Sequence, residues 1–130
     1  MYKATLSSDE RLKSRKRINY LFDEGKQLFS HPLKVYYLID ESPRVDVVSL
    51  KLRFGITVPK SIYKKAVQRN HLKRKIREHY RKAKADFMLE HADIPKSVDW
   101  FFIYIDRKAS EGQMEDAIKK LFSDLSKQLR

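Results

Sequence analysis

Residues 45–58 read Val-Asp-Val-Val-Ser-Leu-Lys-Leu-Arg-Phe-Gly-Ile-Thr-Val, and residues 64–84 read Lys-Lys-Ala-Val-Gln-Arg-Asn-His-Leu-Lys-Arg-Lys-Ile-Arg-Glu-His-Tyr-Arg-Lys-Ala-Lys. The two runs have different periods, and Pro59 and Ser61 separate them. In the first, Val48, Leu50, Leu52, Phe54, Ile56 and Val58 alternate with Ser49, Lys51, Arg53, Gly55 and Thr57, the period of a strand with one buried face. In the second, the helical period places Leu72, Ile76, Tyr80, Ala83 and Phe87 on one stripe of about 80°. Asn70, Lys73, Arg74, Arg77, Arg81 and Lys84 share an adjoining arc of about 100°. A strand is thus followed by a helix that can pack on a sheet through one face and present cations and an amide from another.

A charged helix face is often only a solvated one. Such faces usually mix signs, yet Glu78 is the only acid between Lys60 and Ala85. Lys73 with Arg77, and Arg77 with Arg81, put like charges four apart, costing a free helix a few tenths of a kcal/mol each. A polyanion would convert that repulsion into attraction. The wider composition agrees. The 130 residues carry 29 Lys+Arg against 17 Asp+Glu, a net charge of +12. Such a charge favours nucleic acid or anionic lipid, and no lipidation signal or Trp-rich amphipathic helix supports the membrane option. Charge alone leaves RNA and DNA both open.

The length suits one domain over residues 1–130, with a core large enough to fold without staples. Cysteine is absent, which excludes disulfides and thiolate metal sites and fits a reducing compartment. No apolar run reaches transmembrane length, and the first residues lack the apolar core of a signal peptide. A soluble cytoplasmic protein is the expectation.

Around the two central runs, Ser14 can cap a helix to about Glu24 that stops at Gly25. Residues 26–31 and Leu33–Asp40 read as strands, and Trp100–Ile105 as a strand apolar on both faces and therefore central. A last helix begins near Ser110, where Ser110 and Gln113 match a capping box. Its stripe is Met114, Ala117, Ile118, Leu121, Phe122, Leu125 and Leu129. The order α-β-β-β-α-β-α predicts an α+β, two-layer sandwich on a four-stranded sheet, with one strand reached through a helical crossover. Strand order does not follow from pattern, and the general rule favours a right-handed crossover.

The central residues resemble a known family, the protein component of bacterial ribonuclease P. Ala66, Val67, Arg69, Asn70, Lys73, Arg74, Arg77 and Glu78 match its signature, with Lys64 and Lys65 just ahead. Arg53-Phe54-Gly55-Ile56-Thr57-Val58 is similar to its Arg-hydrophobic-Gly strand, and Arg11-Leu12-Lys13-Ser14 with Phe22 and Gly25 to its opening helix. His71 stands where the family often has Arg, Ile18 where its first helix commonly has an aromatic, and the 58–65 loop is one residue longer. The resemblance implies a left-handed β-α-β crossover. It further implies a protein cofactor that binds the catalytic RNA and the 5′ leader of precursor tRNA while the RNA subunit cleaves the phosphodiester. Mg2+ is then expected in the RNA-containing holoenzyme, with none bound by protein side chains alone, and no DNA partner is expected.

On that resemblance, Arg69, Asn70, Lys73, Arg74 and Arg77 contact RNA from the signature helix, with Arg69 reaching outward from its start. Lys60, Lys64 and Lys65 attract phosphate from the approach loop. Phe22, Tyr36 and Arg53 line the leader cleft, the rings stacking on single-stranded bases. Each has a plainer reading beside it: Asn70 as a solvated amide, Phe22 as a core residue, and Arg11, Lys13, Arg15, Lys16 and Arg17 as solvated charge. His31, His71, His79 and His91 show no metal-ligand spacing, and no nucleophilic triad, paired carboxylates or glycine-rich phosphate loop emerges. No catalytic residue is therefore expected on this chain. A basic ribosomal or other structural RNA-binding protein of similar fold is the competing reading.

Overall fold

A computed structural model describes residues 10–40 and 49–129. Its elements are α1 (Arg15–Glu24), β1 (Lys26–Ser30), β2 (Leu33–Asp40), β3 (Lys51–Thr57), α2 (Ala66–His91), β4 (Ser97–Tyr104) and α3 (Glu111–Leu129). This is the α+β order expected from pattern. Val48 and the start of the 45–58 run lie outside the described residues, so the alternation is visible only from Ser49 onward.

The strand order is β1-β2-β4-β3, with β4 antiparallel to β2 and parallel to β3. The strand that arrives last in the chain is inserted between β2 and β3 rather than added at an edge. Its sequence explains why. Val98, Trp100 and Phe102 are fully buried on one face, while Asp99 and Phe101 are nearly so on the other, and only a central strand offers cover on both.

One face of the sheet carries the main core. Leu33, Val35 and Tyr37 of β2, Leu52 and Phe54 of β3, and Val98, Trp100, Phe102 and Tyr104 of β4 meet α2 and α3 there. All seven residues of the predicted α3 stripe are buried, and Ser110 and Gln113 form the expected reciprocal cap. Tyr80 fixes the rotation of α2: its ring stacks on Phe54 at 3.9 Å, and its hydroxyl accepts the Trp100 indole N–H at 3.0 Å. With Ile76, Tyr80 and Phe87 held inward, the adjoining cation arc must face away from the sheet.

Among the described residues, the opposite face is covered by α1 and the short segment that enters it. Leu12, Leu21 and Phe101 form a small second cluster there, flanked by half-buried Ile18, Tyr36, Leu38 and Ile103. Ser14 caps α1 as predicted, its hydroxyl accepting from the Arg17 N–H. A ten-residue helix cannot cover a four-stranded sheet, so part of this face has no cover from the described residues.

Two sequence expectations need correcting. The final strand begins at Ser97 and ends at Tyr104, so Asp99 is not a loop acid but sits in the central strand, 4% exposed. A carboxylate is tolerated there because two arginines neutralise it. Lys84 is also buried, in an ion pair with Glu10, and does not extend the exposed cation row.

Candidate nucleic-acid interface

The outward arc of α2 is built from Asn70, Lys73, Arg74 and Arg77. Asn70, Arg74 and Arg77 are exposed and Lys73 is half-buried. None of the four has a carboxylate partner among the described residues, and burial together with the charge of Arg11 pushes Arg77 below the usual arginine range. Arg81, which the helical period puts in the same row, is instead held by Glu78 at 2.7 Å. The other flank of α2 is neutralised by α3, where Glu111 contacts Lys75 at 3.4 Å and His79 at 3.1 Å. Those contacts hold the Glu111 carboxyl below the usual carboxylate range. Over residues 70–79 of α2 charge is therefore sorted by azimuth: paired toward α3, and without a carboxylate partner among the described residues on Lys73, Arg74 and Arg77.

Arg69 does not reach outward as its position suggested. Its guanidinium donates to the carbonyls of Tyr63 at 3.0 Å and Lys64 at 2.6 Å. The cause is local. Lys65 caps α2 without a side-chain bond, and Arg69, one turn in, ties the approach loop to the helix start instead. The loop itself turns at Pro59, whose carbonyl accepts from the N–H groups of Ile62 and Tyr63. Lys60, Lys64 and Lys65 remain exposed along it.

A second surface lies on the open face of the sheet. Phe22 of α1 is 41% exposed, so the core reading of this residue fails. Its ring meets Tyr36 edge-on at 5.0 Å and Phe101 at 5.6 Å. Phe101 can lie flat there only because its neighbour on β3 is Gly55: a Cβ at that position would stand 2.5 Å from the Phe101 ring. Cations border the rings. Lys34 sits over Tyr36 at 5.2 Å. Arg53 contributes less free charge than expected, because Asp99 takes its Nε at 2.6 Å and a terminal nitrogen at 2.7 Å. Asp99 also accepts from Arg17 Nε at 2.6 Å, so two guanidiniums share one carboxylate and a net positive charge remains. Arg17 is thereby removed from the solvated basic patch read in the sequence.

Sequence reasoning missed four contributors to this surface: Phe101, Lys34, exposed Phe29 on β1, and Tyr20 on α1, whose ring carries the Arg17 guanidinium at 5.2 Å. Register reveals them. Pairing places Phe29 opposite Lys34 and Tyr36 opposite Phe101, on one face. No group of three or more His, Asp and Glu side chains is arranged to hold a metal ion among the described residues. No described helix is long and apolar enough to cross a membrane.

A sequence-family model described as Ribonuclease P matches residues 6–128. The chain belongs to the ribonuclease P protein family. The ribonuclease P protein component of Porphyromonas gingivalis strain W83 is 41% identical over 76 residues, 58% of this chain and 53% of that protein. The corresponding protein of Microcystis aeruginosa is 40% identical over 67 residues, 52% of this chain and 53% of the other. The chain thus spans about half the length of the curated relatives it matches. Among solved structures, the RNase P protein of Thermotoga maritima superposes with a TM-score of 0.65 at 26% identity, covering 88% of this chain and 96% of that one. That of Staphylococcus aureus gives 0.65 at 20% identity over 93% and 98%, a likeness of fold. Within the ribonuclease P family pattern, the Arg-hydrophobic-Gly strand now has a physical meaning in this chain: Arg53 grips Asp99, and Gly55 makes room for Phe101.

Proposed function

We propose that this chain is the protein cofactor of a ribonuclease P holoenzyme, binding the catalytic RNA and the 5′ leader of precursor tRNA. The observation that carries the reading is the pairing of two surfaces on one small molecule: an unpaired cation row on α2 and a cation-bordered aromatic face beside α1. The first suits the phosphates of folded RNA, where Lys73, Arg74 and Arg77 supply attraction and Asn70 can donate to a phosphate or pair with a 2′-hydroxyl. The second suits a single strand, whose bases stack on Phe22 and Tyr36 for about 1–3 kcal/mol each. Lys60, Lys64 and Lys65 add sequence-independent attraction along the approach loop.

In this reading the endonucleolytic removal of the leader is RNA chemistry. The protein side chains contribute binding, orientation of the leader and relief of repulsion between two RNAs. In the same reading, Mg2+ is taken to sit with the RNA phosphates of the holoenzyme. The setting would be the bacterial cytoplasm.

Reconstitution tests this directly. With catalytic RNA and precursor tRNA at low Mg2+, adding the protein should restore cleavage at the mature 5′ end, while protein without the RNA subunit should cut nothing. A structural RNA-binding protein would bind the RNAs without stimulating cleavage, and a protein nuclease would cut alone. Either result removes the proposal.

A further inference from the structure

RNA contact does not explain the buried ammonium of Lys84. Its side chain is only 6% exposed and pairs with the Glu10 carboxylate, itself 27% exposed. Burial pushes the lysine below its ordinary range, so hiding this charge has an energetic cost that the fold sustains. What the pair holds is the segment entering α1. Arg11 forms a parallel bridge with Phe54, and the Leu12 N–H donates to the Phe54 carbonyl at 2.9 Å. The Leu12 side chain is buried in the cluster under α1. Residues 10–12 therefore lie along the outer edge of β3, tied to α2 at Glu10 and to the sheet at Leu12.

Arg11 stands between those two ties and is exposed. Arg77 lies two turns before Lys84 on the same face of α2, about 10 Å along the axis. The bridge sets Arg11 beside Phe54, whose ring stacks on Tyr80 just after Arg77 on α2, so the two arginines lie along the same strand edge. Burial first, and then the charge of Arg11, holds Arg77 below the usual arginine range. Neither has a carboxylate partner among the described residues. Two like charges are held near each other by a clamp whose own two charges offset one another.

We propose that Lys84 is a positioning residue: by clamping Glu10 it holds Arg11 beside Arg77, and the two guanidiniums form a site for one RNA backbone phosphate. This rests on the RNA-binding reading above and deepens it. The site sits where the cation row of α2 meets the α1 cluster, so a strand following both surfaces crosses it. A phosphate there accepts charge-assisted hydrogen bonds from both forks and turns their repulsion into attraction.

Binding of the full chain to a single-stranded uridine oligonucleotide, followed by fluorescence anisotropy across a salt series, reads the site. Arg11→Ala and Lys84→Met should each flatten the slope of log K against log[salt] by about 0.7, one phosphate on a single strand. Because Lys84 acts through Arg11, the double variant should lose no more than either single one. A wild-type slope in Lys84→Met, or a full second loss in the double variant, overturns the proposal. Should Lys84→Met fail to fold by circular dichroism, Glu10→Gln opens the same clamp from its solvated side and is read by the same criteria. Absence of binding by the unaltered protein overturns the RNA-binding reading together with this site, whereas retained binding with unchanged slopes overturns the site alone.

Discussion

Gly55 and Asp99 show how much single residues settle on the open face of the sheet. A Cβ at Gly55 would stand 2.5 and 2.9 Å from two Phe101 ring carbons and 3.2 Å from the Leu12 carbonyl, with sheet on one side and chain on the other. Gly55→Ala should therefore destabilise the fold by about 1–3 kcal/mol in urea unfolding, as overpacking does, and displace Phe101 toward Phe22. Asp99→Asn should lower the melting temperature and steepen the salt dependence of RNA binding, because Arg17 and Arg53 lose their shared counter-charge. A flat salt response in that variant would mean that neither arginine faces the RNA. The polar side of β3 was legible from alternation, so Arg53 was correctly set facing away from the main core. Its partner was not legible: Asp99 lies 46 residues away, and an acid in an apolar run reads locally as a strand boundary.

For whole elements, α2 couples two opposing requirements. Its unpaired row repels itself, so Arg74→Ala should leave stability unchanged or slightly raised while weakening RNA binding, a separation that calorimetry and anisotropy on the same sample can measure. Its paired flank depends on acids. Lys75 and His79 hold Glu111 below its ordinary value of 4.5, and Arg81 does the same for Glu78. Carboxyls that titrate lower in the folded chain stabilise it fully above the unfolded value, and that contribution is lost as pH falls through the folded one. The urea midpoint should thus decline between about pH 5 and pH 3, and Glu111→Gln should flatten that decline. Helical period identified Ile76, Tyr80 and Phe87 as buried and the adjoining arc as outward. It failed at Lys84 because azimuth tells which way a residue faces, not whether another segment lies over it. Arg69 failed for a related reason: an uncapped helix start drew its guanidinium back to the loop carbonyls.

Across the whole molecule, the net charge of +12 is not spread evenly. Acids are used to join α2 to α3, to hold Arg17 of α1 and Arg53 of β3 against the central strand, and to tie the entering segment to Lys84. Among the described residues, cations without a carboxylate partner include those on the outward arc of α2 and the approach loop. Fold class was legible because the strands and helices carry clean periods, and α1 and α3 also carry side-chain caps. The central place of β4 was legible too, from its two apolar faces. The full extent of the aromatic surface was not, since it depends on register between β1, β2 and β4. The measurement that bears most directly on the proposed division of labour is kcat/KM of the reconstituted enzyme at low Mg2+, with precursor tRNA carrying a full leader and with one whose leader is trimmed away. The protein should favour the full-leader substrate, and Phe22→Ala combined with Tyr36→Ala should abolish that preference. Equal stimulation of both substrates, or a preference that survives the double substitution, would contradict a leader-binding role for this face.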